Sequence, residues 1–242
     1  MLFTAASNRH RLRHRALTTL ASAHDFVELV RRASGDSLWV FAYGSLMWSA
    51  PEGVSVADRV RCRLQGHARS FCIHSRNYRG TPAAPGLVLG LQPAEGAACE
   101  GVALGLGHPD SGSALDSLGR IDAQEMITQS NPTDVYLRTI QTLLLGDGRS
   151  VQALAFVANP ADSPATDLTL QQRAEVIVSR SGSRGSNREY LEQTADRLLS
   201  LGIRDDDVQD LRDRVRALAR GKDAEERESE NSRPCRASVR SV

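Results

Sequence analysis

The sequence predicts an α+β fold, with a mainly antiparallel sheet or small β-barrel and helices packed outside it. Six segments have the apolar, alternating pattern of strands, and most of them follow one another without a helix between them. This order favours antiparallel pairing over a doubly wound parallel sheet, which needs a crossover between neighbouring strands. Four further segments repeat apolar residues with the period of an amphipathic helix.

The strands are expected, in chain order, at residues 38–43, 60–64, 87–91, 101–106, 136–145 and 151–157. The last two form a candidate hairpin, because residues 146–150 between them, Gly-Asp-Gly-Arg-Ser, are typical of a turn. The helices are expected at residues 115–126, 168–178, 187–199 and 205–218. The last helix has one apolar stripe, formed by Val208, Leu211, Val215 and Leu218. Asp205 precedes this stripe and is a candidate N-cap.

The 242 residues suit one compact domain with ragged ends, or two small domains. We expect a domain at residues 37–220, after an N-terminal extension, 1–36, that is partly helical or disordered. Residues 221–242 are charged and nearly free of large apolar side chains, which predicts a disordered tail. The extension carries four arginines before its first acidic residue. That composition fits an organellar transit peptide or, as we favour, a frayed basic end.

The charge balance and the cysteine pattern exclude several classes of protein. The net charge is +1, so no overall field recruits nucleic acid or an anionic membrane, and a small-molecule or protein partner is expected. No apolar stretch approaches the roughly 20 residues of a membrane span, and the N-terminus lacks a secretory signal. The cysteines match neither a disulfide framework nor a redox pair. We therefore expect a cytoplasmic protein with reduced thiols.

The first predicted strand ends in Tyr43-Gly44-Ser45-Leu46. Glycine permits a turn with positive φ and leaves neighbouring N–H groups unshielded, so this segment could bind an anion such as a carboxylate. A tight turn within a sheet explains the same residues without any ligand.

Glu125 lies four residues after Ile121 and seven after Leu118, so it continues the apolar stripe of its predicted helix. A carboxylate facing inward is desolvated, and Arg120, five residues earlier, is outside the spacing of a helical ion pair. Desolvation raises the pKa of a carboxyl group, as a general base working near neutral pH requires. The alternative is that the helix ends earlier and Glu125 is exposed.

Two further clusters carry weaker signals. The spacing of Cys62, His67, Cys72 and His74 matches no usual zinc module, and alternate residues of a strand face opposite ways, so we predict no metal site. Cys72 is expected to be a buried thiol and His74 a surface histidine. The loop that begins at Arg79 contains two prolines and two glycines before residue 87, and its fixed shape suits either a functional loop or a connector.

Several motifs together resemble the ChaC-type γ-glutamylcyclotransferases. The motifs are WVFAYGSLMW at residues 39–48, YRGTP at 78–82 followed by Pro85-Gly86, and EMIT at 125–128. Further likeness comes from LGDGR at 145–149 leading into ALAFV at 153–157, and from SGSRGSN at 181–187 before Tyr190-Leu191. The likeness runs from about residue 39 to about residue 211, in matching order and spacing.

The resemblance implies an enzyme that cleaves glutathione to 5-oxoproline and cysteinylglycine, on a small barrel with flanking helices and without a cofactor. It implies that residues 43–46 hold the γ-glutamyl head, that Arg79 and Tyr136 contact the substrate, and that Glu125 is the catalytic acid/base. Two alternatives stay open. One is a cyclotransferase for other γ-glutamyl amines or dipeptides, and the other is a non-catalytic γ-glutamyl-binding regulatory protein.

The chain departs from the family pattern at two places. Gln124 stands where relatives usually have a basic residue directly before the glutamate. Residues 129–135 form a longer segment than expected before Tyr136, the candidate for the substrate-facing tyrosine of relatives. Both departures adjoin the predicted site, so they bear on substrate preference.

Overall fold

A computed structural model of the protein describes Val30 and residues 35–126, 135–161 and 164–231. Its strands are β1 (Leu38–Ala42), β2 (Asp58–Ser75), β3 (Gly86–Gly107), β4 (Tyr136–Leu145), β5 (Ser150–Ala158), β6 (Ser181–Gly182) and β7 (Gly185–Ser186). Its helices are α1 (Gly112–Glu125), α2 (Leu170–Ser179), α3 (Asn187–Ser200) and α4 (Asp206–Asn231). Two 3-10 turns, Ser45–Met47 and Pro164–Asp167, connect larger elements.

Five strands close into a barrel in the order β1-β3-β2-β4-β5. All neighbouring pairs are antiparallel except β1 and β5, which pair in parallel where Val40 faces Leu154. The prediction of a small, mainly antiparallel barrel with flanking helices is therefore confirmed. The predicted hairpin is also present, because β4 and β5 pair from Tyr136 opposite Ala158 to Leu144 opposite Ser150.

Strands β2 and β3 are much longer than the sequence pattern predicts. They pair in antiparallel fashion from Asp58 opposite Gly105 to Ser75 opposite Gly86, with register shifts at residues 65–67 and 71–73 of β2. The segments expected at 87–91 and 101–106 are thus two parts of a single strand. The part between them is exposed or half-buried except at Cys99 and has no large apolar side chain, so it lacks the strand signal. The register shifts between the pairs Gln65–Ala98 and His67–Pro93, where Gly66 of β2 faces four residues of β3, and both Gly66 and Gly96 have positive φ, 73° and 75°.

The barrel interior forms the hydrophobic core. Phe41, Phe71 and Phe156 are fully buried and come from three different strands. Burying side chains of this size contributes about 1.5–3 kcal/mol each. Helix α1 adds Leu118 and Ile121 to the same core, so its inner face is fixed against the barrel.

Helices α2, α3 and α4 pack on one another and cover part of the barrel. Asp205 caps α4 as predicted, because its Oδ1 accepts a hydrogen bond of 3.1 Å from the Val208 N–H. Helix α4 continues to Asn231, so the tail predicted to be disordered from Gly221 is helical in its first part. Residues 232–242 and the four arginines of the N-terminal extension lie outside the described residues.

Within the described ranges, no helix has both the length and the apolar character needed to cross a bilayer.

Candidate active site

A pocket of about 310 Å³ opens beside the end of β1, and a smaller cavity of about 40 Å³ adjoins it. Both are lined by Ser45, Glu125, Tyr136 and Tyr190, so these four residues mark the junction between them. A site for one water molecule needs about 10–15 Å³. The small cavity therefore has room for roughly three water-sized groups, which is the size of a carboxylate.

The structure brings together every site residue predicted from the sequence. Tyr43, Gly44 and Leu46 line the small cavity, and Arg79 lines the larger pocket. Ser45, Tyr136 and Glu125 line both. The clustering follows from the barrel, which places the end of β1 next to the end of α1 and the start of β4.

The turn after β1 presents unused backbone donors to the small cavity. The N–H groups of Met47 and Trp48 close the 3-10 turn by donating to Gly44 and Ser45. The N–H groups of Gly44, Ser45 and Leu46 donate to no other residue within the described part of the chain. Free N–H groups on residues that line a cavity can bind an anionic oxygen.

Gly44 does not adopt the positive φ expected from the sequence. Its φ is −128°, a value that residues with a side chain also adopt. A Cβ built on Gly44 would lie 3.6 Å from Leu89 Cδ1, which is an ordinary contact distance. Because Leu89 also lines the small cavity, that Cβ would occupy part of its volume. Glycine here preserves space in the cavity, and its ψ of −138°, outside the usual β range, means that it also suits the turn.

Buried Arg69 fixes the start of this turn. Its Nη1 donates a hydrogen bond of 2.5 Å to the Tyr43 carbonyl, and its Nη2 donates to the Glu100 carbonyl on β3. Its Nε lies 2.8 Å from Oδ2 of Asp205, the N-cap of α4. The turn is therefore held against both the barrel and the last helix. Burial raises the pKa of Asp205, and the charge of Arg69 opposes that rise.

Three tyrosines surround the junction. The Tyr43 hydroxyl donates to the Phe156 carbonyl and the Tyr136 hydroxyl to the Leu89 carbonyl, both at 2.9 Å. Burial raises the pKa of Tyr190 to about 12 and that of Tyr43 and Tyr136 well above the usual range, and the charge of Glu125 raises all three further. The ring of tyrosines is therefore neutral and leaves Glu125 as the acid of the site.

Glu125 is the last residue of α1, and its side chain is partly accessible through the pocket. Burial raises its pKa to about 7, while a hydrogen bond of 3.3 Å from Gln124 Nε2 to Oε1 opposes the rise. It forms no ion pair with a described residue. The partial negative charge at the C-terminal end of a helix also disfavours ionisation. Glu125 is therefore poised to exchange a proton near neutral pH, and the alternative of an ordinary exposed residue is excluded.

Asp122, one helical turn earlier, has the opposite environment. Both of its oxygens accept hydrogen bonds from Arg138 on β4, at 2.6 Å and 2.8 Å. Arg138 is therefore paired with Asp122 and does not neutralise Glu125 at the end of α1.

A model of the ChaC-like protein family matches residues 38–218. The chain belongs to the ChaC-like family. It is 34% identical over 191 residues to the glutathione-specific γ-glutamylcyclotransferase of Escherichia coli strain K12, and the match covers 78% of both chains. It is 32% identical over 190 residues to the corresponding Schizosaccharomyces pombe enzyme, covering 71% of this chain and 88% of the relative.

The fold is also shared with a solved structure. A glutathione-specific γ-glutamyl cyclotransferase from yeast superposes with a TM-score of 0.62 at 21% identity. The match covers 75% of this chain and 96% of the yeast chain. The resemblance to the ChaC-type enzymes noted from the motifs is therefore confirmed at the level of family and fold.

Arg79 of this ChaC-like chain lies in a loop with a fixed shape. Its backbone N–H donates to Ser75 Oγ at 3.0 Å, and its Nη1 donates to the Ser186 carbonyl at 3.1 Å. A Cβ on Gly80 would lie 2.1 Å from the Gly86 N atom, so only a residue without a Cβ lets the two ends of the loop pack this closely. The guanidinium group lies 5.2 Å from the centre of the Tyr190 ring, which joins the loop to α3.

Tyr190 is a pocket residue that the sequence placed in a family motif but did not predict for the site. The preceding turn of α3 is anchored by Asn187, whose side-chain amide exchanges two hydrogen bonds of 2.6 Å with the Leu87 backbone on β3. Tyr190 then lies one turn further along the helix, at the junction. An asparagine at a helix start is usual as a cap, so the sequence does not indicate that this one is buried against a strand.

The outer part of the larger pocket was also not predicted. It is lined by Trp48, Ser49, His74, Arg76, Tyr78, Arg184 and Gln193. His74 is half-buried in this wall rather than on the outer surface, which corrects the sequence expectation, whereas Cys72 is fully buried as expected. Among the residues that the structure describes, no three metal-ligating side chains cluster, and Cys62 and His67 lie along the same strand as these two.

Proposed function

We propose that this ChaC-like chain is a γ-glutamylcyclotransferase that converts glutathione to 5-oxoproline and cysteinylglycine. The observation that carries the proposal is Glu125, a carboxyl group with a pKa of about 7 and no cationic partner among the described residues, beside a turn with free N–H donors. The names and activities of the E. coli and S. pombe relatives support the choice of substrate.

The reaction needs no protein nucleophile. The α-amine of the γ-glutamyl group attacks the γ-carbonyl carbon of the same group, and a five-membered ring closes as the bond to the cysteine nitrogen breaks. A flexible chain must be held in the ring-closing pose, and positioning of this kind supplies about 7–11 kcal/mol of barrier reduction in favourable intramolecular reactions. In this site the small cavity would hold the γ-glutamyl head, and the larger pocket would hold the leaving peptide.

Glu125 moves the proton. Ionised Glu125 takes a proton from the α-ammonium group, which frees the nitrogen lone pair for attack, and it returns that proton to the departing cysteine nitrogen. The α-nitrogen loses a second proton as the lactam forms, and the released amine gains its second proton from solvent. The overall charge is balanced, and no electron is transferred to or from the protein.

The free N–H groups of residues 44–46 stabilise negative charge on the substrate. They would bind the α-carboxylate or the γ-carbonyl oxygen, which becomes an oxyanion in the tetrahedral intermediate. Removing one donor of this kind from an oxyanion site typically costs about 2.7–4 kcal/mol of transition-state stabilisation.

The test is to incubate the purified protein with glutathione and to measure 5-oxoproline and cysteinylglycine. We expect equal amounts of both products, and we expect Glu125→Gln to lower kcat by about 100- to 10,000-fold, because the amide cannot accept the proton. The control is Glu175→Gln, the same chemical change at an exposed position of α2, which should leave kcat unchanged. Full turnover by Glu125→Gln would contradict the proposed base.

The same assay separates the other candidates. If only γ-glutamyl compounds other than glutathione yield 5-oxoproline, the chain is a cyclotransferase of different specificity. If glutathione binds but no γ-glutamyl compound is turned over, the chain is a binding protein and the proposal is wrong.

A further inference from the structure

The outer part of the larger pocket carries positive charge that the proposed proton transfer does not use. Arg76, just after β2, and Arg184, between β6 and β7, line the larger pocket but not the small cavity. Within the described residues neither of them forms an ion pair. The third arginine of this wall, Arg79, is already engaged, since it lies 3.9 Å from Glu189 and donates to the Ser186 carbonyl.

Arg184 is held in place from two sides. Its guanidinium carbon lies 3.9 Å from the centre of the Tyr78 ring, which is a close cation–π stack. Its backbone N–H donates to the Tyr78 carbonyl at 3.0 Å, and the preceding Ser183 N–H donates to the Asn77 carbonyl at 2.8 Å. These hydrogen bonds hold the turn between β6 and β7 against the loop before Arg79, although the Arg184 side chain itself is exposed.

Stacking positions an arginine without consuming its hydrogen-bond donors. The flat face of the guanidinium contacts the ring, while the N–H groups at its edge stay available for a planar, two-oxygen acceptor. Glu189, the acidic residue five positions after Arg184, does not supply that acceptor. Glu189 accepts from Gln193 at 3.2 Å and lies near Arg79, and it is not part of the pocket wall.

We propose that Arg184 and Arg76 bind a carboxylate carried by the leaving amine, so that the chain prefers γ-glutamyl peptides ending in a free carboxylate over γ-glutamyl amines without one. The inference rests on the proposed function and specifies its substrate class. The two pockets divide the substrate at Glu125: the γ-glutamyl head lies towards the free N–H groups, and the leaving portion lies towards the arginines. Glutathione has a carboxylate at the far end of that portion.

The test compares glutathione with its glycine carboxamide, which differs only in the terminal charge. We expect the unmodified protein to prefer the free acid by about 5- to 30-fold in kcat/KM, mainly through a lower KM. The reason is that a hydrogen bond to a charged group contributes more binding free energy than an exposed ion pair does. Arg184→Gln should raise KM for the acid and leave KM for the amide unchanged. Raising the ionic strength should reduce the preference, because the arginine is exposed.

Two variants make the comparison specific. Arg188→Gln removes an exposed arginine from α3 that does not line the pocket, and it should keep the full preference for the acid. Arg184→Lys keeps the charge but loses the planar fork, so it should keep part of the preference.

Equal kcat/KM for the acid and the amide in the unmodified protein would overturn the inference, as would an equal effect of Arg184→Gln on both substrates. Either result leaves the proposed function intact, because 5-oxoproline is still formed. Absence of 5-oxoproline from both substrates would instead refute the proposed function, and the carboxylate subsite with it.

Discussion

Glu125 and Asp205 are two carboxylates at helix ends, and burial raises the pKa of both. Asp205 lies at the positive N-terminal end of α4, accepts a hydrogen bond from the Val208 N–H and lies 2.8 Å from Arg69. Glu125 lies at the negative C-terminal end of α1, and within the described part of the chain its side chain accepts a hydrogen bond only from the neutral Gln124. A raised pKa is therefore common to a structural group and a proposed catalytic group.

What separates the two carboxylates is their surroundings. Asp205 is enclosed by partners that stabilise its charge, and it lines neither pocket. Glu125 faces the junction of both pockets and lacks such partners. We infer that Arg69 and the Val208 N–H offset part of the cost of burying the Asp205 carboxylate, whereas the cost of burying the Glu125 carboxylate is not offset by a cation and lowers the stability.

The largest effect is expected from Arg69→Met, measured as the free energy of unfolding in urea. The substitution leaves the Asp205 carboxylate without its cation and the carbonyls of Tyr43 and Glu100 without their donor. Removing one partner of a buried ion pair typically costs about 3–5 kcal/mol. The control is Arg63→Met on the same strand, whose side chain is 50% exposed in its ion pair with Glu100. It should cost less than about 1 kcal/mol.

A double-substitution cycle sharpens this result. Adding Asp205→Asn to Arg69→Met removes the carboxylate that the first substitution strands, while asparagine still caps a helix. We expect the double variant to lose less stability than the sum of the two single losses. Strict additivity would show that Asp205 does not depend on Arg69, and the proposed contrast with Glu125 would fail.

The second largest effect is expected from Glu125→Gln, and it has the opposite sign. In the folded protein the pKa of Glu125 is about 7 instead of 4.5. Below pH 4.5 the carboxyl group is protonated in both the folded and the unfolded chain. Between about pH 4.5 and 7 the unfolded chain ionises this group while the folded protein keeps it protonated, so stability is lost over this range, and the loss is complete above about pH 7.

The glutamine variant has no such charge, so its stability relative to the unmodified protein should rise with pH between about 4.5 and 7. The gain at pH 8 is at most about 3 kcal/mol, and it is smaller to the extent that water in the pocket screens the charge. Urea unfolding of both proteins across this range measures the difference. A variant that is less stable than the unmodified protein at pH 8 would contradict the inference about Glu125.

The site illustrates which features a sequence can predict. Glu125 is recognisable because its contacts are set within one helix, by its spacing from Leu118 and Ile121. The cradle at residues 43–46 is recognisable because it is continuous in sequence. Arg76 and Arg184 are far apart in the chain, and only the closed barrel and the packing of the turn before α3 bring them to one wall.

The fold shows the same division between local and distant causes. The four helices and the hairpin of β4 and β5 follow from periodicity and turn residues, and their observed bounds lie close to the predicted ones, except that α4 continues to Asn231 instead of ending near residue 218. The parts of β2 and β3 near the register shift at Gly66 are stabilised mainly by pairing with each other. Their exposed, polar residues carry little periodic signal. The length of that ladder therefore could not be predicted.

A smaller effect is expected in the pH dependence of activity on glutathione. Because the base must be ionised in the free enzyme, kcat/KM should rise with pH and reach a plateau above about pH 7, the pKa of Glu125. At one pH unit below that pKa, the rate should be about tenfold below the plateau. A rise centred near pH 4.5 would show that Glu125 is solvated like an ordinary carboxylate.

The smallest effect is expected from Gln124→Leu. The Gln124 amide donates to Glu125 and lowers its pKa, so its removal should move the rise of kcat/KM to higher pH, by about half a pH unit for a weak neutral hydrogen bond. Gln171→Leu, at a similar Gln–Glu contact on α2, should leave the profile unchanged. A shift to lower pH would mean that Gln124 disfavours the charge on Glu125. The raised pKa would then come from a neighbour rather than from burial, and Glu125 would differ from Asp205 in the cause of its shift as well as in its surroundings.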